Sequence, residues 1–180
     1  MVPLAASAAF AAARDLGLSD DVSAAVVTTL MRASGAGGMI GGQLLDLDGE
    51  DRPLSLFELE RIHRAKTGAL ITAAATLGGR AASASRERLD ALARYGKAVG
   101  LAFQIADDVL DVTATTDQLG KTAGRDLALR KSTYPALLGV EGAKRRAAVL
   151  IDDGCRALRE VGLSTPALEW IARFSVERTS

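Results

Sequence analysis

The apolar residues of this chain do not fall into the alternating runs that half-buried strands show. Alanine is abundant, β-branched residues are scattered, and no two alternating runs are joined by a hairpin turn. The pattern predicts an all-α protein, a helical bundle that forms one domain over residues 1–180. The expected helices cover approximately 4–14, 19–33, 56–77, 85–111, 141–161 and 164–178, with a shorter segment that reaches Tyr134-Pro135.

Capping residues and glycines indicate where these helices begin and end. Ser55 followed by Glu58 has the pattern of a capping box that opens the third helix, and Gly78-Gly79 is expected to end it. Residues 35–42 contain five glycines, too many for an ordinary surface helix, where each costs about 1 kcal/mol relative to alanine. We therefore expect this backbone to approach another helix or a ligand closely. Residues 46–53 indicate an exposed turn.

The composition argues against several classes of function. Lysine plus arginine equals aspartate plus glutamate, 22 each, and only 4% of the residues are aromatic. This balance gives no support for binding to nucleic acid or to an anionic membrane surface. No apolar run reaches the roughly 18 residues that span a bilayer, so we expect no membrane span. The single cysteine, Cys155, cannot form an internal disulfide, which favours a cytoplasmic location and a packing role for its thiol.

Residues 103–111 place three carboxylates inside an otherwise apolar helix. Asp107 and Asp111 lie one turn apart, Asp108 lies three residues before Asp111, and Gln104 precedes them on the same side. Like charges at this spacing oppose helix formation, and burying them unpaired would cost several kcal/mol. Because a cation offsets that cost, the cluster favours a hard divalent ion such as Mg²⁺. The alternative is a solvated helix face.

Basic residues elsewhere suggest an anion beside that cation. Lys66 and Thr67 interrupt an alanine-rich stretch, where a buried ammonium group needs an anion. A snorkelling surface lysine is the alternative for Lys66. Carboxylates that would bind a metal ion and basic side chains that would bind an anion together suggest a metal-bridged polyphosphate. The polar segment that follows the acids supplies the further cations Lys121, Arg125, Arg130 and Lys131.

The remaining polar and aromatic outliers are interpreted as structural. Gln43 and Asp46, three residues apart, are expected to form hydrogen bonds at a helix end, and ligand binding is the alternative for them. His63, the only histidine, has no second histidine or cysteine nearby, so we expect a structural role for it. Trp170 and Phe174, four residues apart, are expected in the core.

Five ordered motifs carry a resemblance to a known family. They are GMIGGQLLD (38–46), HRAKTGAL (63–70), GLAFQIADDVLD (100–111), LGK (119–121) and KSTYPALLG (131–139). In this order and at these intervals, over essentially the whole chain, they resemble the trans-isoprenyl diphosphate synthases. The resemblance implies the helical isoprenoid-synthase fold.

The resemblance also implies roles for individual residues. Asp107, Asp108 and Asp111 would be the metal-binding residues of the family's second aspartate-rich motif, where Asp107 and Asp111 bind the Mg²⁺ that bridges to an allylic diphosphate. The implied contacts to this diphosphate are Lys66, Lys121 and Lys131. The implied catalytic residues are Lys66, Thr67 and Gln104, of which Thr67 and Gln104 lie beside the reacting carbons.

The implied function is prenyl transfer by a cytoplasmic homodimer. An allylic diphosphate (dimethylallyl or geranyl) condenses with isopentenyl diphosphate to a short-chain product such as farnesyl diphosphate. Two alternatives are an enzyme like the terpene cyclases or squalene synthases, and a non-catalytic partner subunit of a complete synthase. Lys66, Thr67 and the segment 120–131 favour the transferase, because they resemble its diphosphate-binding positions.

The acidic motifs generate a prediction about activity. The family has two aspartate-rich motifs on facing helices, and this sequence, which resembles the C-terminal portion of a synthase, contains only the second. The positions that would hold isopentenyl diphosphate are also missing. We therefore expect the purified 180-residue chain to show no prenyl transferase activity when geranyl and isopentenyl diphosphate are supplied and longer prenyl diphosphates are assayed. Detection of a longer product would contradict this expectation.

Overall fold

Every regular element in residues 2–113 and 131–177, the part of the chain that the computed structural model describes, is helical. The predicted all-α fold is thereby confirmed. None of the described helices is both long and apolar enough to cross a membrane. The helices are α1 (Val2–Asp15), α2 (Asp20–Ser34), α3 (Met39–Asp48), α4 (Leu56–His63), a π-helical turn (Arg64–Gly68), α5 (Ala69–Ala81), α6 (Arg86–Thr113), α7 (Tyr134–Leu138), α8 (Val140–Glu160) and α9 (Pro166–Glu177).

Several of the predicted helix ends are confirmed by their caps. Ser19 precedes α2, and its side chain accepts a hydrogen bond from the Val22 N–H group. Ser55 and Glu58 form the predicted capping box, in which each side chain accepts a hydrogen bond from the backbone N–H of the other. Gly162, between α8 and α9, has a φ of +65°, a left-handed conformation that favours glycine.

The predicted helix end at Gly78-Gly79 is wrong. Helix α5 continues through both glycines to Ala81, and the chain turns at Ser83, whose φ is +52°. A Cβ atom added at Gly79 would lie 2.5 Å from the Leu92 Cδ1 atom of α6, so the glycine lets these two helices pack closely. This packing outweighs the weak helix propensity of glycine.

Two further predicted boundaries differ from the structure. The helix expected over 56–77 is interrupted by the π-helical turn, a local widening that local propensity does not reveal. The exposed turn expected over 46–53 begins later, because α3 includes Asp46 and ends at Asp48. Asp46 therefore lies in a helix, which gives its side chain a defined direction.

Helix α6 lies at the centre of the bundle and packs against α5, the π-helical turn and α8. Its residues Leu101 and Ile105 are fully buried. Gly100 allows the backbones to approach, because a Cβ atom there would lie 2.7 Å from the Gly68 Cα atom. Cys155 of α8 is buried in the same core, which confirms its predicted packing role.

The C-terminal helix α9 is attached to α6 through the Tyr95 hydroxyl, which donates a hydrogen bond of 2.7 Å to the Leu168 carbonyl oxygen. The predicted core location of Trp170 and Phe174 is wrong. Their rings stack with centroids 4.9 Å apart, but the residues are 62% and 51% exposed. The side of α9 that meets the bundle instead carries the small, fully buried Ala172.

The close approach of α6 to the π-helical turn predicts opposite effects for two glycine substitutions. Gly100→Ala should lower the free energy of unfolding by about 1–3 kcal/mol, because the new methyl group meets backbone atoms that cannot rotate away. Gly78→Ala is the matched control in α5, where an added Cβ atom meets nothing within 4 Å. This control should raise the free energy of unfolding by up to about 1 kcal/mol. Urea denaturation measures both, and equal effects would contradict the proposed packing.

Candidate active site

A cavity of about 280 Å³ brings together side chains from separate segments of the chain. They come from α3 and the turn after it, from the end of α4 and the π-helical turn, from the second half of α6, and from the residues before α7. The lining residues are Gln43, Asp46, Leu47, Glu50, His63, Lys66, Gln104, Asp107, Asp108, Asp111, Lys131, Ser132 and Thr133.

Two close backbone contacts place these segments around the π-helical turn. A Cβ atom added at Gly42 of α3 would lie 2.2 Å from the Lys66 backbone N atom, so a side chain there would push α3 away from the turn. Gly100 of α6 packs against the same turn from its own helix. Asp46 and Gln104 each follow one of these glycines by one helical turn, and both line the cavity. The close approach predicted for the glycine-rich segment is confirmed at Gly42.

Asp46 is the centre of a cluster of ion pairs. Its Oδ2 atom accepts hydrogen bonds from the Nζ atoms of Lys66 at 2.8 Å and Lys131 at 2.9 Å. Lys131 Nζ also lies 3.1 Å from Glu50 Oε1. Burial opposes ionisation of Asp46, but hydrogen bonds and charges from the two lysines outweigh it and hold the pKa of this carboxyl below its ordinary value. Burial also opposes the charge on Lys131, but Asp46 and Glu50 raise its pKa above the ordinary value.

The three aspartates of α6 have different surroundings. Asp108 and Asp111 are buried, which excludes the alternative of a solvated helix face, and Asp107 is half-buried. The Oδ2 atom of Asp108 accepts a hydrogen bond of 2.9 Å from the Tyr134 N–H group. This carboxylate therefore also anchors the first residue of α7, where a negative charge is favourable.

The donor atoms of the cavity fit a magnesium ion. They are carboxylate and amide oxygens, the hard ligands that Mg²⁺ prefers. Within residues 2–113 and 131–177, no three Asp, Glu, His or Cys side chains lie close enough to hold a metal ion by themselves. Mg²⁺ usually keeps several waters and binds through one or two carboxylates plus substrate phosphates. The site thus suits an ion whose coordination is completed by the oxygens of a ligand.

Most of the site residues predicted from the sequence lie together. The predicted residues that line the cavity are Lys66, Gln104, Asp107, Asp108, Asp111 and Lys131. Thr67 lies in the π-helical turn, half-buried, but it does not line the cavity. Lys121, Arg125 and Arg130 lie outside the described residues.

Sequence reasoning missed the roles of Asp46 and Glu50. The interpretation of Asp46 as a helix-end hydrogen bonder is wrong, because its carboxylate binds lysine side chains from two other segments. One signal in the sequence points towards it: the partly buried Lys66 ammonium needs an anion. The spacing does not identify that anion, because Asp46 lies 20 residues away along the chain.

His63 forms part of the cavity wall and is 6% exposed. Its Nδ1 atom has no hydrogen-bond partner within the described part of the chain, and its ring centroid lies 5.8 Å from that of Tyr134. Burial is the main cause that lowers the pKa of this imidazole to about 4. The side chain is therefore neutral at physiological pH and adds no charge to the cavity.

Comparison with known proteins identifies the family. The polyprenyl synthetase family profile matches residues 4–157. The chain belongs to this family. It is 48% identical over 165 residues to farnesyl diphosphate synthase of Escherichia coli K12, a match that covers 89% of this chain and 55% of that protein. It is 42% identical over 164 residues to dimethylallyltranstransferase of Fischerella ambigua, covering 91% of this chain and 47% of that protein.

Solved structures agree with this assignment of the polyprenyl synthetase fold. Geranyltransferase from Helicobacter pylori, complexed with magnesium and isoprenyl diphosphate, has a TM-score of 0.73 and 32% identity, over 88% of this chain and 52% of that one. Polyprenyl synthase from Caulobacter crescentus CB15, complexed with calcium and isoprenyl diphosphate, has a TM-score of 0.78 and 28% identity, over 86% of this chain and 59% of that one. The chain spans about half the length of the curated relatives it matches.

The buried, neutral His63 predicts that mild acid destabilises the folded chain at pH values above those at which carboxylates titrate. As the pH falls below about 6.5, the unfolded chain gains a proton on His63, whereas the folded chain does not until the pH reaches about 4. The free energy of unfolding should therefore decrease from pH 6.5 to 4.5. His63→Gln should flatten the profile in this window, because the chain has no other histidine. Urea denaturation at a series of pH values measures the slope, and an unchanged slope in the variant would contradict the assignment.

Proposed function

We propose that this polyprenyl synthetase is a prenyl transferase of isoprenoid biosynthesis. An allylic diphosphate, such as dimethylallyl or geranyl diphosphate, would condense with isopentenyl diphosphate to give a short-chain product such as farnesyl diphosphate. The similarity to farnesyl diphosphate synthases and to a dimethylallyltranstransferase supports this proposal. We include in it the cytoplasmic homodimer that the family resemblance implies.

The observation that carries the proposal is the arrangement of opposite charges around one cavity. Lys66 and Lys131 converge on a single oxygen atom of Asp46, and the aspartates of α6 line the same cavity. Lysine ammonium groups bind phosphate oxygens as compact point charges. When held by Asp107 and Asp111, Mg²⁺ would neutralise negative charge on the departing diphosphate. A metal-bridged diphosphate is the ligand that matches both kinds of group.

Catalysis by these residues would be electrostatic. As the allylic C–O bond breaks, its electron pair leaves with the diphosphate, and Lys66 and Lys131 would stabilise the charge that develops there. The amide dipole of Gln104, one helical turn before Asp108, would stabilise the allylic cation. The double bond of isopentenyl diphosphate then attacks this cation, which forms the new C–C bond and leaves a tertiary cation. The carbon beside that cation loses a proton to the departed diphosphate, and its C–H electron pair becomes the new double bond.

The proposal predicts which lysines bind the allylic diphosphate. A non-hydrolysable thiolo analogue of geranyl diphosphate should bind the 180-residue chain when Mg²⁺ is present, measured by isothermal titration calorimetry. Lys66→Met and Lys131→Met should each weaken binding roughly 10- to 100-fold, because a hydrogen bond to a charged group contributes about 1.5–3 kcal/mol. Removal of Mg²⁺ with EDTA should abolish binding.

The matched control is Lys144→Met. This lysine lies on α8, is exposed, and forms an ion pair only with neighbouring Glu141 among the described residues. Its loss should leave affinity unchanged. The proposed function fails if the wild-type chain does not bind the analogue with Mg²⁺, or if Lys66→Met behaves like the control.

A further inference from the structure

We propose that Asp46 is a positioning residue that holds Lys66 and Lys131 together as one diphosphate-binding pair before the ligand arrives. The inference rests on the function proposed above and assigns a role to a carboxylate outside the acidic motif. Asp46 would act through the two lysines and would not itself contact the diphosphate.

The geometry of the cluster gives the first step. Both ammonium groups contact the same carboxylate oxygen, Oδ2 of Asp46, so their Nζ atoms lie within roughly 6 Å of each other. Two like charges at this separation repel, and each sits at the end of a flexible four-carbon stem. The shared carboxylate offsets this repulsion and fixes both stems in one place.

The position of Asp46 is set by the backbone and not by a chance surface contact. Gly42, one turn earlier in α3, packs against the Lys66 backbone and fixes the register of the helix. The Asp46 side chain is only 15% exposed and that of Lys131 is 18% exposed, so solvent screens their attraction less than that of a surface pair. On the other side, Ser132 accepts a hydrogen bond from the Leu54 N–H group at 2.9 Å, which holds the segment that carries Lys131.

The lysines keep hydrogen-bonding capacity while Asp46 holds them. An ammonium group has three N–H donors. Among the described residues, Lys66 uses one donor on Asp46, and Lys131 uses one on Asp46 and one on Glu50. Donors therefore remain for a diphosphate without displacement of Asp46. A ligand that meets two ordered lysines avoids the entropy cost of ordering them on binding.

Glu50 supplies the matched control. It lies four residues after Asp46, in the turn that follows α3, and carries the same charge. Among the described residues, its carboxylate pairs with Lys131 and not with Lys66. If negative charge near the cavity were the whole effect, Asp46→Asn and Glu50→Gln would behave alike. If Asp46 joins the two lysines, Asp46→Asn should have the larger effect.

The first test measures affinity for the thiolo analogue of geranyl diphosphate with Mg²⁺ by calorimetry. Asp46→Asn should weaken binding at least 10-fold and Glu50→Gln less than 3-fold, whereas Asp46→Glu, which keeps the charge, should lie between wild type and Asp46→Asn. In a Lys66→Met/Lys131→Met background, Asp46→Asn should have no further effect, because its role depends on the lysines. Tighter binding by Asp46→Asn, or a full effect in the double-lysine background, would overturn the inference.

The second test needs no ligand. NMR relaxation of the lysine side chains in the free protein should show that Lys66 and Lys131 are ordered in the wild type. Asp46→Asn should make both mobile, and Glu50→Gln should affect Lys131 alone. Unchanged order in Asp46→Asn, with its fold verified by circular dichroism, would refute the positioning role; if that variant does not fold, Asp46→Glu is measured in its place and should loosen both lysines partly. If the wild-type chain binds no analogue, the proposed function fails, whereas this experiment still decides the role of Asp46.

Discussion

The close packing of two glycines against one helical turn is the constraint on which the site depends. Gly42 brings α3 against the backbone of Lys66, and Gly100 brings α6 against Gly68. The backbones of both helices therefore pack directly against the backbone of the π-helical turn. Asp46 of α3 and Gln104 of α6 each lie one helical turn after the glycine of their helix, and both line the cavity. A larger residue at either contact would separate the charges of the cavity, because protein interiors at this packing density transmit such displacements.

The described residues of the cavity carry both acidic and basic groups. Asp46 and Glu50 pair with the two lysines, whereas Asp107, Asp108 and Asp111 lie on α6 along the same cavity. Asp108 also accepts a hydrogen bond from the backbone of α7. Among the described residues that line the cavity, an anionic diphosphate alone would meet more carboxylates than ammonium groups. This balance explains why the proposed ligand is a diphosphate together with a divalent cation.

Predictions from capping patterns and helical spacing were correct where interactions between residues close in the sequence determine the structure. Ser55 with Glu58 opens α4 as predicted, and the one-turn spacing of Asp107 and Asp111 places both beside one cavity. The same kind of prediction was wrong where contacts between helices determine the structure. Gly78-Gly79 does not end α5, because α6 packs against it, and Trp170 is exposed because the opposite side of α9 meets the bundle.

The sequence by itself determined the helical class, most helix ends, and the acidic and basic motifs that mark the family. These features depend on interactions over a few residues, which propensity and spacing describe. Only the tertiary structure decided that Asp46 joins Lys66 and Lys131, from which it is separated by 20 and 85 residues. No periodicity links positions so far apart. Their meeting requires the helices to pack at the distances that their glycines permit.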